Sequence, residues 1–367
     1  MNSSLTVHRA PAIAAPAATR APRPRIADDK AMLRAAADLT RDLGKPRPGL
    51  YWTDMGGSAL LGYGTLVVAA TSGTTWLAIL AAVVSVLALY RALLFIHEIS
   101  HMKHSALPHF RLGWNVLVGV PMLTPSFMYE GVHNLHHAKQ RYGTSDDPEY
   151  LPLASMKAWT LPLFILVSLL APVGLLIRFA ILSPLSVLVP ALRRPVIERF
   201  SALAINPQFR RRVPDGEVLK QFNRIDAAAT VWALALVGLV ASGSIPLRAF
   251  AIGVGIMSAV AMLNQVRTLV AHLWENEDGE QMSVTAQYLD SVNVPPPALL
   301  PGLWAPVGLR YHALHHLLPG LPYHSLGEAH RRISAALDTD SPYHKASYAG
   351  LPGLVRYLVA NTMRIGR

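Results

Sequence analysis

Residues 58–101, SALLGYGTLVVAATSGTTWLAILAAVVSVLALYRALLFIHEISH, decide the fold, because a long apolar run leads directly into a pair of histidines. No charged residue occurs in this stretch before Arg91, and a membrane-spanning helix needs about 20 mostly apolar residues. The turn-like Ser72-Gly73-Thr74-Thr75 lies inside the run. The stretch therefore predicts two short membrane spans, over 57–72 and 76–95, that form a hairpin.

A second pair of apolar runs occurs later in the chain and predicts spans over 227–243 and 249–270. Ser242-Gly243-Ser244-Ile245-Pro246 divides them, and Arg248 falls at this divide, where its side chain can reach the membrane surface. The sequence thus predicts an all-α integral membrane protein with four transmembrane helices in two hairpins.

Basic residues predict the orientation of these spans. Residues 1–50, ahead of the first hairpin, contain nine Lys and Arg against four Asp and Glu, and residues 193–224, ahead of the second, contain eight against three. Because basic loops stay on the cytoplasmic side, both termini are expected there. The residues that follow each hairpin then form a cytoplasmic helical cap.

Residues 158–192 are also apolar, but four prolines and Arg178 interrupt them. Proline removes a helical hydrogen bond and tends to break a helix into shorter pieces. A crossing here would also place the basic segment 193–224 outside. We therefore predict a re-entrant or interfacial pair of short helices over 158–192.

The other segments flank a membrane domain over residues 51–345. Residues 1–27 are rich in Ala, Pro and Arg and predict a disordered arm, without the apolar core of a secretory signal peptide. Residues 28–50 predict an interfacial helix, and 346–367 a C-terminal tail.

Composition restricts the chemistry. Of 367 residues, 52% are hydrophobic and 15% charged, against about 25% charged in ordinary soluble domains. The net charge of +11 fits the orientation of the spans, so no nucleic-acid partner is expected. The chain has no cysteine, which excludes disulfides, iron–sulfur clusters and thiol ligands, so any metal must bind to His, Asp or Glu.

Histidines supply the candidate ligands. Three motifs occur, His97-Glu-Ile-Ser-His101, His133-Asn-Leu-His136-His137 and His312-Ala-Leu-His315-His316, and His272 follows the last span. Residues three or four apart share one face of a helix, so each motif can present its histidines together. Zinc takes four ligands and an octahedral ion six, so nine imidazoles predict two metal ions.

The three motifs in this order resemble the integral-membrane fatty acid desaturases and their hydroxylase relatives. Pro125-Ser-Phe-Met-Tyr-Glu-Gly-Val-His133, Tyr142-Gly-Thr-Ser-Asp-Asp-Pro148 and Pro306-Val-Gly-Leu-Arg-Tyr-His312 support the resemblance, the last being similar to the bacterial acyl-lipid branch. The resemblance implies two non-haem iron ions, dioxygen as co-substrate, and nine catalytic ligands: His97, His101, His133, His136, His137, His272, His312, His315 and His316.

The implied activity is desaturation, the introduction of a C=C bond into an acyl chain. Hydroxylation or ketolation is the alternative, because the first motif has three intervening residues, a spacing that also occurs in hydroxylases and ketolases of this superfamily. The implied substrate is a fatty acyl lipid, an acyl-CoA or an acyl-ACP. The implied location is a bacterial inner membrane, with the site on the cytoplasmic side.

Electrons are expected from a separate ferredoxin-like or cytochrome/reductase donor. The chain contains no His-Pro-Gly-Gly signature of a cytochrome b5 segment and no GxGxxG phosphate loop.

The resemblance is incomplete at one position. Some desaturases have an Asn four residues before the histidine that corresponds to His272, and it completes the metal shell through a water molecule. This chain has Thr268 at that position. Asn264 lies eight residues before His272, so the resemblance does not assign this role to it. Carboxylates close to the motifs are candidates to orient the ligands, namely Glu98, Glu130, Asp146, Asp147 and Glu328. His104, seven residues after His97, is a weaker candidate for a tenth ligand.

Two other classes of protein remain open. His97 to His101 also reads HExxH, in which Glu98 would be the general base of an intramembrane zinc metalloprotease. That reading leaves both HxxHH motifs without a purpose. A metal transporter is disfavoured because the predicted spans contain almost no ionisable residues.

Overall fold

The computed structural model describes residues 25–298 and 300–362. Within these ranges all regular secondary structure is helical, so the all-α prediction is confirmed. The predicted disordered arm lies almost wholly outside the described residues. The α-helices are α1 Lys30–Leu39, α2 Pro48–Thr71, α3 Thr75–Leu93, α4 Phe95–His101, α5 Phe110–Trp114, α6 His133–His136, α7 Thr160–Leu166, α8 Ala171–Ile177, α9 Ser183–Leu188, α10 Arg193–Phe200, α11 Gly216–Ala241, α12 Leu247–Leu269, α13 Val284–Asp290, α14 Pro301–Trp304, α15 His312–Leu317, α16 Leu326–Ala336, α17 Pro342–Lys345 and α18 Leu351–Thr362.

Helices α2 and α3 form the first hairpin, and α4 extends α3 towards the first histidine motif. The Ser85 hydroxyl donates to the Gly62 carbonyl at 2.9 Å, which shows how closely the two helices approach. Arg91 makes two hydrogen bonds of 2.6 Å to Asp54. The charges at the end nearest the histidines are therefore paired across the hairpin.

Helices α11 and α12 form the second hairpin, and α12 packs against α3 and α2 of the first. Leu247 and Val231 are 71% and 67% exposed, as expected for side chains that face lipid. Among the described residues, four helical stretches are long and apolar enough to cross a membrane, so the membrane fold class is confirmed. They are Thr75–His101, Thr160–Leu188, Gly216–Ala241 and Leu247–Leu269.

Two of these features differ from the sequence expectation. Helix α2 falls outside the apolar set, since it contains Asp54 and several glycines. Residues 160–188, by contrast, form one continuous helical run: a 3-10 segment Val167–Leu170 and a π segment Arg178–Leu182 join α7, α8 and α9. The expectation that prolines cut this run into pieces too short to cross was wrong, because local changes of helix type absorb them. Its interfacial placement stays a prediction.

Helix α1 is the helix expected within residues 28–50. Asp29 caps it by accepting a hydrogen bond from the Met32 amide at 2.9 Å. Met32 and Ala36 are buried in a cluster that includes Ile333 of α16. The apolar face of α1 is therefore covered by protein, and 40–47 lead from it into α2 at Pro48.

The contact at Gly62 makes a test of the first hairpin. A β-carbon at Gly62 would lie 2.6 Å from Leu89, whereas one at Gly64 meets nothing within 4 Å. We expect Gly62→Val to destabilise the protein by about 1–3 kcal/mol, as overpacking does. Thermal unfolding in detergent would show a lower midpoint for Gly62→Val and little change for the matched Gly64→Val. Equal midpoints would contradict the close packing.

Candidate metal centre

Four separate segments bring the histidine motifs together at one end of the hairpins. Helix α4 ends at His101, α6 begins at His133, and α15 begins at His312. His272 follows the end of α12 and is held by a β-bridge to Ser291. All nine predicted ligands lie in two adjoining groups, and no residue of the predicted set is left outside.

Group A contains five histidines, His97, His101, His133, His137 and His315. One ligand atom from each lies within 4.8 Å of all the others. The Nε2 atom of His315 lies 3.1 Å from that of His101 and 3.2 Å from that of His137. The Nε2 atoms of His133 and His137 are 3.0 Å apart.

Group B contains four histidines, His136, His272, His312 and His316. The Nε2 atom of His312 lies 3.0 Å from that of His272 and 3.2 Å from that of His316. These four side chains come from three regions that are far apart in sequence, so the group forms only when the chain is folded.

Adjacent residues of both HxxHH motifs belong to different groups. His136 lies in group B and His137 in group A, while His315 lies in group A and His316 in group B. The rings of His137 and His316 stack between the groups with centroids 4.2 Å apart. The adjacent pair of histidines in each motif thus contributes one ligand to each group, and the first histidine of the motif adds a second ligand to one of them.

The nitrogen positions fit two metal ions. An ion with bonds of about 2.1 Å to nitrogen separates neighbouring octahedral ligands by about 3 Å, which is the spacing observed. Both ring nitrogens of the buried His97 lack a hydrogen-bond partner in the described structure. Buried polar atoms are normally satisfied, and a metal ion would satisfy one of these two nitrogens. The residues therefore fit a two-metal centre.

The outward nitrogens of several histidines are held by acidic side chains. His133 Nδ1 lies 2.8 Å from Glu149, and His136 Nδ1 lies 2.9 Å from Asp147. A carboxylate at Nδ1 keeps the proton on that atom, which leaves Nε2 free to bind a metal. These contacts orient both rings towards the centre.

A buried hydroxyl network holds His272 in the same way. The Tyr142 hydroxyl lies 2.9 Å from His272 Nδ1 and donates to Asp290 at 2.8 Å. Tyr150 donates to the same Asp290 carboxylate at 3.0 Å. Burial raises the pKa of Asp290 to about 7.

Burial also keeps most of the histidines neutral. It lowers the pKa of His133, His137, His312, His315 and His316 well below the ordinary value, and neighbouring imidazoles lower it further. A neutral imidazole has a free lone pair, which metal binding requires. For His136 burial is again the largest influence and lowers the pKa, but the charge and hydrogen bond of Asp147 together with the charges of Glu149 and Asp290 give a net rise in the pKa.

Comparison with known proteins agrees with this geometry. A family model described as "Fatty acid desaturase" matches residues 74–348, which include every histidine of both groups. The chain belongs to this family. It is also 51% identical over 325 residues to a protein named "Ceramide hydroxylase" from Caulobacter vibrioides (strain NA1000 / CB15N), an alignment that covers 89% of this chain and 92% of the relative.

Membership of the desaturase family makes the chain a membrane oxidoreductase of lipid metabolism. It also removes the zinc protease alternative. Glu98 of the HExxH sequence is buried, and its carboxylate accepts hydrogen bonds from the Tyr51 hydroxyl and from the Tyr323 amide at 3.0 Å. In this desaturase-family chain Glu98 therefore ties α4 to α2 and to the segment after α15.

The other predicted orienting carboxylates are divided by the structure. Asp147 contacts a ligand, whereas Glu130 binds Arg111 and Ser126 instead. Asp146 is exposed, and Glu328 pairs with arginines of α16. Sequence reasoning missed Glu149, Tyr142 and Asp290, although Glu149 follows Asp147 by two residues, a spacing that could have signalled it.

His104 and Asn264 are the remaining residues that the sequence analysis considered as ligands. His104 lies beside Arg111 and belongs to neither group. Asn264 accepts a hydrogen bond from Arg267 at 3.2 Å. Arg267 is buried without a carboxylate partner among the described residues, so a cation lies close to the histidines.

Asp147 allows the two groups to be tested separately. We expect Asp147→Asn to weaken metal binding at group B by about 10–100-fold, because His136 loses the charge that fixes its ring. Metal analysis after dialysis against a chelator would then give about one ion per chain instead of two.

The matched control is Asp146→Asn, which removes the same charge from an exposed neighbour. It should retain both ions. Unchanged metal content in Asp147→Asn would show that this carboxylate does not support the centre.

Proposed function

We propose that this chain hydroxylates the acyl chain of a ceramide-type lipid, using dioxygen and two non-haem iron ions held by groups A and B. The observation that carries the proposal is the 51% identity to the ceramide hydroxylase over nearly the full length of both chains. The three-residue spacing of the first histidine motif, which hydroxylases of the superfamily share, supports it as well.

When bound, the two iron ions would supply the activation of dioxygen that attack on an unactivated C–H bond requires. The chain's own residues would hold and orient them: nine histidines each offer one ring nitrogen to the centre, and Asp147 and Glu149 fix the rings of His136 and His133 from behind. Most of these side chains are buried and the others are partly buried, which limits the access of water to the reacting groups.

Hydroxylation and desaturation make the same demand on this centre. Hydroxylation converts a C–H bond, dioxygen, two electrons and two protons into a C–OH group and water. Desaturation removes two hydrogens from neighbouring carbons and yields two waters from the same reagents. Desaturation, the outcome expected from sequence, is retained as the second candidate because the family model carries that description.

We also infer that the centre lies on the cytoplasmic side and that residues 160–188 re-enter the membrane without crossing it. Arg178 and Arg193 both bond to Asp226, at 3.1 and 2.8 Å. A straight helix would separate two residues 15 positions apart by about 22 Å along its axis. The shared partner means that the chain turns back between Arg178 and Arg193, which supports a run that re-enters the membrane.

Product analysis distinguishes the two reactions. Lipids from a host that makes ceramide and expresses the chain should gain one oxygen atom, and mass spectrometry should find heavy-isotope label from dioxygen in the product. His315→Ala, which removes a group A ligand, should form no product. Loss of two hydrogens without added oxygen would overturn the hydroxylase assignment in favour of desaturation.

A second experiment tests the separate electron donor. The chain has no cysteine and no nucleotide-binding phosphate loop, so we expect no turnover by the purified, iron-loaded protein with NAD(P)H alone. Addition of a ferredoxin and its reductase should start product formation. Sustained turnover without any added protein would refute this expectation.

A further inference from the structure

A basic cavity lies apart from the metal centre, between α10, the segment 210–213 and the start of α11. Its volume is about 790 Å³, within the range of small-ligand sites. Five of its lining residues are arginines and one is acidic: Arg193, Arg194, Arg210, Arg211, Arg212 and Glu198. No other function described above uses this cavity.

The positive charges of this cavity are only partly neutralised. Glu198 pairs with Arg194 at 2.7 Å. Arg210 donates to two backbone carbonyls, and neither it nor Arg212 has an ion pair among the described residues. Several guanidinium groups at one opening create a field that attracts an anion.

Arg211 is held in place as part of the wall. Its guanidinium donates to the Ser201 carbonyl at 3.0 Å and to the Glu130 carbonyl at 3.2 Å, and it lies 5.6 Å from the ring centre of Phe222. Burial lowers the pKa of Arg211 to about 10, since its charge is poorly solvated. An anion in the cavity would stabilise that charge. The Glu130 carbonyl also places the cavity on the same side of the membrane as His133, three residues further on.

An apolar rim accompanies the arginines, since Ile197, Val213 and Leu219 line the cavity. Two exposed apolar residues adjoin lining residues in sequence: Leu188, 78% exposed, lies two residues before Pro190, and Val218, 63% exposed, is next to Leu219. Exposed apolar residues beside arginines are typical of the boundary between acyl chains and headgroups. A soluble anion would have no use for such a rim, whereas a lipid would contact both features.

We propose that this cavity binds the phosphate headgroup of an anionic membrane phospholipid. Arginine forks match the geometry of phosphate oxygens, and the apolar rim accommodates the start of the acyl chains. The site is independent of the proposed hydroxylation, because it shares no residue with the metal centre.

Lipid retention by the full-length protein tests this proposal. Protein purified in neutral detergent with equal phosphatidylglycerol and phosphatidylcholine should retain phosphatidylglycerol preferentially by native mass spectrometry. The variant Arg210→Gln/Arg212→Gln changes two exposed side chains and should lower that retention about tenfold. The control Arg248→Gln, at the far end of α12, should retain phosphatidylglycerol as the unaltered protein does.

The other arms separate the alternative sources of anion. Inorganic phosphate at the same concentration should neither displace the lipid nor raise the melting temperature; if it does either, the ligand is a soluble phosphate and the proposal is wrong. Equal loss of lipid in Arg248→Gln would mean diffuse charge attraction and would also overturn it. Unchanged lipid retention in the double variant, with slower donor-supported turnover, would assign the surface to the electron donor instead.

Discussion

The structure depends on the convergence of nine imidazoles within a buried region, where neighbouring Nε2 atoms lie about 3 Å apart. Where a carboxylate keeps the proton on Nδ1, as Glu149 does at His133, the inward Nε2 atom presents a lone pair to its neighbours, and a bound metal ion would stabilise it. Each nearby feature serves that convergence. The hairpins bring the segments that carry the histidines to one place, and the acidic side chains that contact Nδ1 determine which ring nitrogen faces inwards.

The parts of this centre that follow local spacing could be predicted from the sequence. His97 and His101 are four residues apart and share a helix face, and the apolar runs on either side locate them at a membrane end. The division of each HxxHH motif between two groups could not be predicted, because it depends on where α6 and α15 meet. Neither could the role of Tyr142, whose partner Asp290 is almost 150 residues away.

The apolar run over 160–188 shows a different limit of sequence reasoning. A proline costs a hydrogen bond, but the chain can change to a 3-10 or π turn and continue, as it does at Val167 and Arg178. The continuity of the helical run therefore does not determine how deeply residues 160–188 lie in the membrane. Their contacts with the spanning helices are more informative. Ser258, midway along α12, donates to the Leu169 carbonyl, whereas Arg178 contacts Asp226 in the first half of α11.

The ligands of both groups span from His97 to His316, which is more than half of the chain. Bound metal would thus act as a cross-link that closes very long loops and joins the two hairpins. Without it, a cluster of buried imidazoles opposes the association of those hairpins, and the free energy of metal binding becomes part of the free energy of folding. A cell short of the bound metal is therefore expected to lose the protein itself to membrane proteases, and the shortage would set the abundance of the enzyme as well as its rate.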